Sequence, residues 1–133
     1  MTAQVSKKAF WGGWVLSILP VLMLLMSATM KFLQPPESVE GFEHLGYPLS
    51  VSIPLGVVEL GCAIVYLIPQ TSVLGAILLT GYLGGATASH VRVEEAFYIP
   101  IALGVMIWLG LYLRDPRLRR LVPLRDRSRS EEA

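Results

Sequence analysis

Four separate stretches of this 133-residue chain, at about residues 14–32, 51–68, 73–89 and 97–113, are continuously apolar. A helix needs ~20 mostly apolar residues, and at least ~17, to cross ~30 Å of hydrocarbon, and each stretch meets that requirement. A membrane barrel would instead alternate apolar and polar residues along each strand. Composition agrees with the runs. Hydrophobic residues make up 53% of the chain, charged residues only 16%, and the mean hydropathy is +0.57, whereas soluble domains carry about 25% charged residues. The fold class expected is all-α: a polytopic membrane protein built as a four-transmembrane-helix bundle. The single cysteine, Cys62, excludes a disulfide framework and a cysteine-only zinc site.

The first run follows Lys7 and Lys8 and ends near Ser27-Ala28-Thr29, a layout shared with signal peptides. It is longer than a signal peptide's apolar region and Lys31 follows at once, so it reads as a retained span. Charge sets the orientation, because Lys and Arg in short flanks stay cytoplasmic. One side of the four spans receives Lys7, Lys8, Arg114, Arg117, Arg119, Arg120, Arg125, Arg127 and Arg129. The other receives only Lys31 and Arg92, among Glu37, Glu40, Glu43, Glu94 and Glu95. Both termini are therefore expected in the cytoplasm of a cell (inner or plasma) membrane protein. Residues 1–113 form the membrane domain and residues 114–133 a basic tail. That tail reads as a topology signal and a contact for anionic lipid, not as a nucleic-acid patch.

The connections differ in kind. Pro69-Gln70-Thr71-Ser72 is a tight inner turn, which makes spans two and three antiparallel neighbours. Residues 90–96 form a short outer connection. In the longer first outer loop, Pro35-Pro36 stops span one. Val39, Phe42 and Leu45 then recur at i, i+3 and i+6 among glutamates, the pattern of a short interfacial helix, with Gly46 as its C-cap. Pro20 and Pro54 are placed to bend spans one and two. Trp11, Trp14, Trp108 and Tyr112 suit the inner aromatic belt, and Tyr98 the outer.

Within the four apolar cores, leaving aside Lys31 at the end of the first run, one side chain is formally charged, Glu59. An acidic group at mid-membrane costs ~2.5–3.5 kcal/mol on insertion scales, so it should be paired, protonated or lining a cavity. At ~1.5 Å per residue Glu59 lies ~12 Å from the outer end of span two, and Tyr82 on span three falls near the same depth. Helical spacing groups polar and small residues into stripes: Ser52, Gly56, Glu59, Cys62 or Ala63, and Tyr66 on span two; Tyr82, Ala86, Ser89 and His90 on span three; Ser27 and Lys31 on span one. Turned toward each other, they place Lys31, His90 and Arg92 at an outer mouth above Glu59 and Tyr82. Taken singly, Lys31 is a snorkelling anchor, His90 and Arg92 are interface residues, Cys62 is packing, and Tyr66 and Tyr82 are helix contacts. As one constellation, Glu59, His90 and Lys31 are the candidate catalytic groups, and Tyr82, Arg92, Ser27, Ser89 and Tyr66 the candidate substrate contacts. Gly81/Gly85 and Gly84/Ala88 form small-xxx-small pairs, read first as close packing inside the bundle and second as a homodimer face.

No phosphate loop, dinucleotide fingerprint, HExxH or GxSxG motif occurs, and two histidines, His44 and His90, do not favour bis-histidine haem ligation within one chain. Ser27-Ala28-Thr29-Met30-Lys31-Phe32-Leu33 resembles the end of the first span in the DoxX-like membrane proteins, with Ala28 where that family usually has Gly. His44-Leu45-Gly46-Tyr47-Pro48 resembles the loop before their second span, and Gly56-Val57-Val58-Glu59-Leu60-Gly61 their second-span glutamate motif. The run from Leu78 to Ala86, followed by His90-Val91-Arg92, resembles their third span. The resemblance covers Trp14 to Leu113 and implies a small four-helix membrane protein. It sets Lys31, Glu59 and His90 at the family's recurrent polar sites. The family's name comes from a subunit of an archaeal thiosulfate:quinone oxidoreductase. A redox-linked subunit binding a quinone or similar lipophile, with a redox partner protein supplying electrons, is the first expectation; the sequence requires no cofactor. A stand-alone acid–base enzyme acting on a small lipophile and a non-catalytic transporter or accessory protein are the alternatives.

Overall fold

A helix satisfies its backbone N–H and C=O groups within one segment, and lipid offers them no other partner. The computed structural model, which describes residues 5–123, follows that constraint with six helices. They are α1 (Lys7–Leu33), α2 (Pro36–Leu45), α3 (Ser52–Leu67), α4 (Ser72–Arg92), α5 (Tyr98–Arg114) and α6 (Pro116–Arg119). No strand occurs among the described residues. Short 3-10 turns at Leu49–Val51 and Pro69–Thr71 lead into α3 and α4. Counting those turns, Lys7–Leu33, Leu49–Leu67 and Pro69–Arg92 are long and apolar enough to cross a membrane. The fourth, α5, has 17 residues and is ~25 Å long at ~1.5 Å per residue. The chain is thus a helical membrane bundle. The far end of the basic tail, with Arg125, Arg127 and Arg129, lies outside the described residues.

Helix α1 packs against α3 and α5, and α4 against the same two, so the four long helices close a ring in the order α1–α3–α4–α5. The core runs through Val21, Leu24, Ala63, Tyr66, Ala76, Leu79, Leu83, Ile107 and Leu111. Three glycines set how closely the helices meet. A Cβ on Gly75 would fall on the backbone of Tyr66 at the α3–α4 contact. One on Gly110 would stand 2.6 Å from Ser17 Oγ and 2.8 Å from the carbonyl oxygen of Gly13. At Gly56 it would lie 3.0 Å from the Phe32 ring and 3.2 Å from Lys31 Cβ, so the small residue lets α3 approach the end of α1 just above Glu59.

Helix α2 starts with Pro36 and ends at Gly46, whose φ of 79° is the left-handed cap expected there. Two expectations are corrected. Gly81, Gly84 and Gly85 would meet nothing within 4 Å if given a Cβ, and all three, with Ala88, are exposed. They do not pack inside the bundle, because α4 turns Ser72, Gly75, Ala76, Leu79, Leu83 and Ser89 inward instead. Pro54 lies in the first turn of α3, where helical N–H groups have no partner anyway. It therefore starts the helix instead of interrupting it near Glu59; Pro20 is inside α1 and buried.

The end of the bundle formed by the start of α4 and the end of α5 is closed by a residue whose sequence position suggested only a flanking charge. Arg114 is 8% exposed, with its Nε donating to Ser17 Oγ at 3.0 Å and its Nη1 to Ser72 Oγ at 3.4 Å. The guanidinium lies 4.2 Å from the Trp14 ring centroid and 5.1 Å from that of Tyr66. Hydroxyls and aromatic faces thus take the place of a carboxylate, an arrangement suited to the planar, weakly hydrated guanidinium. Just beyond, Asp115 caps α6, accepting from the backbone N–H of Arg117 at 2.9 Å. Burial raises the Asp115 carboxyl, but the Arg117 hydrogen bonds and charge outweigh it and hold it below the usual carboxylate range.

Overpacking a close helix contact costs about 1–3 kcal/mol. Gly75→Ala is therefore expected to lower the thermal midpoint of the detergent-purified protein by several degrees, while Gly84→Ala leaves it unchanged or slightly raised. Equal effects from the two substitutions would contradict the assignment of inward and outward faces on α4.

Candidate functional site

The charge that enters the bilayer does not stand alone. Lys31, in the last turn of α1, points its ammonium at Glu59 on α3, with Nζ 2.9 Å from Oε2. The Lys31 side chain is 15% exposed and that of Glu59 only 2%. Ser27, one turn before Lys31, joins them: Nζ donates to Ser27 Oγ at 2.6 Å, and Ser27 Oγ donates to Glu59 Oε2 at 3.3 Å. Ser52, at the start of α3, donates to the backbone carbonyl of Lys31 at 2.8 Å. The helical spacing explains the meeting: Ser52, Gly56 and Glu59 share one stripe of α3, and Gly56 admits α1 at the level where Lys31 needs to reach. The Tyr82 ring borders the pair from α4, with its centroid 6.0 Å from Nζ.

A cleft of about 370 Å³ opens beside this cluster, between the end of α1 and the overlying α2. Ser27 and Lys31 form its polar floor, Met30, Phe42 and Leu45 its apolar walls, and Glu37 lies at its edge. Glu59 is not part of the lining. It stands behind Lys31 and holds the ammonium in place. Buried ion pairs of this kind add little net stability, because desolvation offsets their attraction, but losing one partner strands the other.

The remaining candidates fall into other groups. His90 engages Ala86, with Nδ1 2.7 Å from its carbonyl oxygen, and lies 3.9 Å through Nε2 from Glu95 Oε2. Glu95 in turn takes His44 of α2, Nε2 to Oε1, at 2.8 Å. Ser89 pairs with Tyr47, hydroxyl to hydroxyl, at 2.6 Å, and Arg92 donates to the carbonyl of Leu45 while lying 5.6 Å from the Tyr47 ring centroid. His90, Ser89 and Arg92 thus fasten the C-terminal end of α2 and the following loop to the C-terminal end of α4. Tyr66 belongs to the opposite half of the bundle, near Arg114. Its hydroxyl is 2.7 Å from the carbonyl oxygen of Ile107 and 2.9 Å from Ser17 Oγ. The structure therefore brings together Lys31, Glu59, Ser27 and Tyr82, and sets His90, Arg92, Ser89 and Tyr66 apart from them.

Sequence reasoning did not single out Glu95, Tyr47 or His44 as partners of these groups. Each lies in a loop or surface helix, where spacing carries no signal about what it will touch. A buried pair makes a sharp energetic expectation. Lys31→Met alone leaves Glu59 without its cation and should cost about 3–5 kcal/mol, whereas Lys31→Met with Glu59→Leu should recover most of that loss. Thermal unfolding of the two variants in detergent decides it. A double variant no more stable than the single one would show that the charges are not coupled.

Residues 15–110 match the DoxX-like family. No curated protein and no solved structure matches the chain. The match spans all four long helices and the whole Lys31–Glu59 cluster, and the chain belongs to the DoxX-like family of membrane proteins.

Proposed function

We propose that this DoxX-like membrane protein binds a small lipophilic molecule of quinone type in the cleft beneath α2, with a carbonyl oxygen of the ligand on Lys31 Nζ. The observation that carries the reading is that Lys31 joins a fully buried carboxylate to an open cleft between the end of α1 and α2. An ammonium has three donors; Ser27 and Glu59 take two, leaving one for a ligand. Ligand sites are mostly apolar with a few fixed polar groups, which describes walls of Met30, Phe42 and Leu45 over a floor of Lys31 and Ser27. About 370 Å³ suits a ring-sized headgroup whose tail remains in lipid.

On this reading Glu59 and Ser27 orient Lys31, and Tyr82 borders the same polar floor. The ammonium stabilises negative charge developing on the carbonyl oxygen and can pass it a proton, with Glu59 positioned to stabilise the lysine's return to the charged form. Electrons are supplied by a redox partner protein, and the chain's own part is binding and protonation. His90, Ser89 and Arg92 act through α2, by holding the wall that carries Phe42 and Leu45. The site faces the side opposite the cytoplasm, with both termini cytoplasmic, following the distribution of Lys and Arg.

Extraction in native lipid followed by mass spectrometry tests the binding. A quinone-type molecule should co-purify with the wild-type protein and fall at least tenfold in the charge-free Lys31→Met/Glu59→Leu variant, while Lys8→Met retains it. Its absence from the wild type, or equal retention by the double variant, would count against the proposal. For orientation, Cys62→Ala carrying Glu40→Cys should react with an impermeant thiol reagent from outside the cell, and Cys62→Ala carrying Lys8→Cys only after lysis. The reverse pattern would invert the topology.

A further inference from the structure

We propose a second binding surface, distinct from the cleft beneath α2: the groove between α4 and α5 is a seat for one anionic phospholipid. An acyl chain lies against Gly84 and Gly104, and the phosphate reaches Arg119 and Arg120. The groove has a volume of about 560 Å³ and opens on the outside of the bundle, between two helices long or apolar enough to lie in lipid. It exists because Gly84 and Gly104 leave space where other helical positions would project a side chain; a Cβ on Gly104 would come no closer than 3.8 Å to Leu83, and one on Gly84 would meet nothing.

The polar groups of Thr80, Thr87 and Trp108 along it are already engaged. Thr80 Oγ1 donates to the carbonyl of Ala76 at 2.7 Å and accepts from Trp108 Nε1 at 2.6 Å, and Thr87 Oγ1 donates to the carbonyl of Leu83 at 2.8 Å. A polar occupant would leave its own groups unpaired, so the matched occupant is a hydrocarbon chain. Along α5 the groove runs from Ile101 to Tyr112, ~16 Å at ~1.5 Å per residue, the proportions of a chain and not of a ring.

Charge at one end selects the kind of lipid. Helix α6 folds back there, so that Leu118 and Val122 close the groove's inner end. Arg119 stands beside it. Its Nε donates to the carbonyl of Tyr112 at 2.8 Å and its Nη2 to that of Leu113 at 3.0 Å, while its guanidinium lies 5.3 Å from the Tyr112 ring centroid. These contacts hold the cation at the mouth and leave Nη1 without a hydrogen-bond partner among the described residues. Arg120 is exposed beside it, whereas Arg117 is engaged by Asp115. Fixed basic groups at the membrane surface attract anionic headgroups, and a guanidinium can grip a phosphate with two parallel donors. Beyond Val122 the chain continues as Pro123-Leu124-Arg125-Asp126-Arg127-Ser128-Arg129, too charged to fill an apolar groove itself.

The test is native mass spectrometry of the protein released from vesicles of equal phosphatidylglycerol and phosphatidylcholine. One phosphatidylglycerol is expected to be retained in preference. Arg120→Gln should reduce that retention severalfold, Arg119→Gln/Arg120→Gln should abolish the preference, and Gly84→Leu/Gly104→Leu should abolish retention without lowering the thermal midpoint. Lys7→Gln/Lys8→Gln, which removes equal charge away from the groove, should change nothing. No preference in the wild type, or a preference untouched by the arginine substitutions, would overturn the proposal. So would a dimer that the glycine substitutions disperse, since a second copy would then occupy the groove.

Discussion

The ion pair between Lys31 and Glu59, 2.9 Å long and set among apolar helices, organises the half of this protein that α2 covers. In lipid a lone carboxylate at that depth is costly, and a lone ammonium would swing toward the headgroups. Together they tie the end of α1 to the middle of α3. The features around them serve that contact: Gly56 lets the backbones approach, Ser27 bridges the two charges, and Ser52 accepts the task of fixing the Lys31 backbone. With Lys31 held, a cation is presented to a cleft instead of to bulk water.

The opposite half of the bundle solves the same problem differently. Arg114 is as hidden as many core residues, yet its nearest recorded partners are Ser17, Ser72, the carbonyl of Tyr66 and two aromatic rings. Four helices meet on it: Ser17 and Trp14 come from α1, Tyr66 from α3, Ser72 from α4, and Arg114 itself from α5. Here charge is a fastener with no opening to a cavity. The contrast supports assigning the functional role to Lys31. Lys31 is half-buried and touches a cleft lined by Met30 and Phe42, whereas Arg114 is buried and enclosed by its own bundle.

Much of this was legible in the chain because lipid leaves few choices. Four apolar runs can be little else than helices, and a single glutamate within them needs a partner from a neighbouring span. The stripe from Ser52 through Gly56, Glu59 and Ala63 to Tyr66 turns inward because small and polar residues there contrast with Val57, Val58 and Ile64 on the lipid side. Helix α4 was harder to read. Its glycines and its leucines are equally at home in lipid or in a core, so spacing alone pointed Gly81, Gly84 and Gly85 the wrong way, and Leu79 and Leu83 took the interior. Arg114 was misjudged for a related reason: hydropathy treats every arginine at a span end as surface, and only three-dimensional packing reveals the hydroxyls waiting for it. The outer cluster of His44, Glu95 and Tyr47 depends on how loops fold back over α4, which no periodicity encodes.

Helix α2 gives the outer site its chemical character. It covers Lys31 with Phe42 and Leu45 and is held down at its C-terminal end through Arg92 and the His44–Glu95 pair, so the cleft has apolar walls over a charged floor. The central claim is that this cleft, and no other part of the bundle, receives the carbonyl head of a quinone-type molecule. Photo-crosslinking with a light-activated quinone-type probe in native lipid, mapped by peptide mass spectrometry, tests it most directly. Adducts concentrated on Met30 and Phe42, and lost in the Lys31→Met/Glu59→Leu variant, are the expected result. Adducts confined to α4 and α5, or undiminished when the charged pair is removed, would contradict the account.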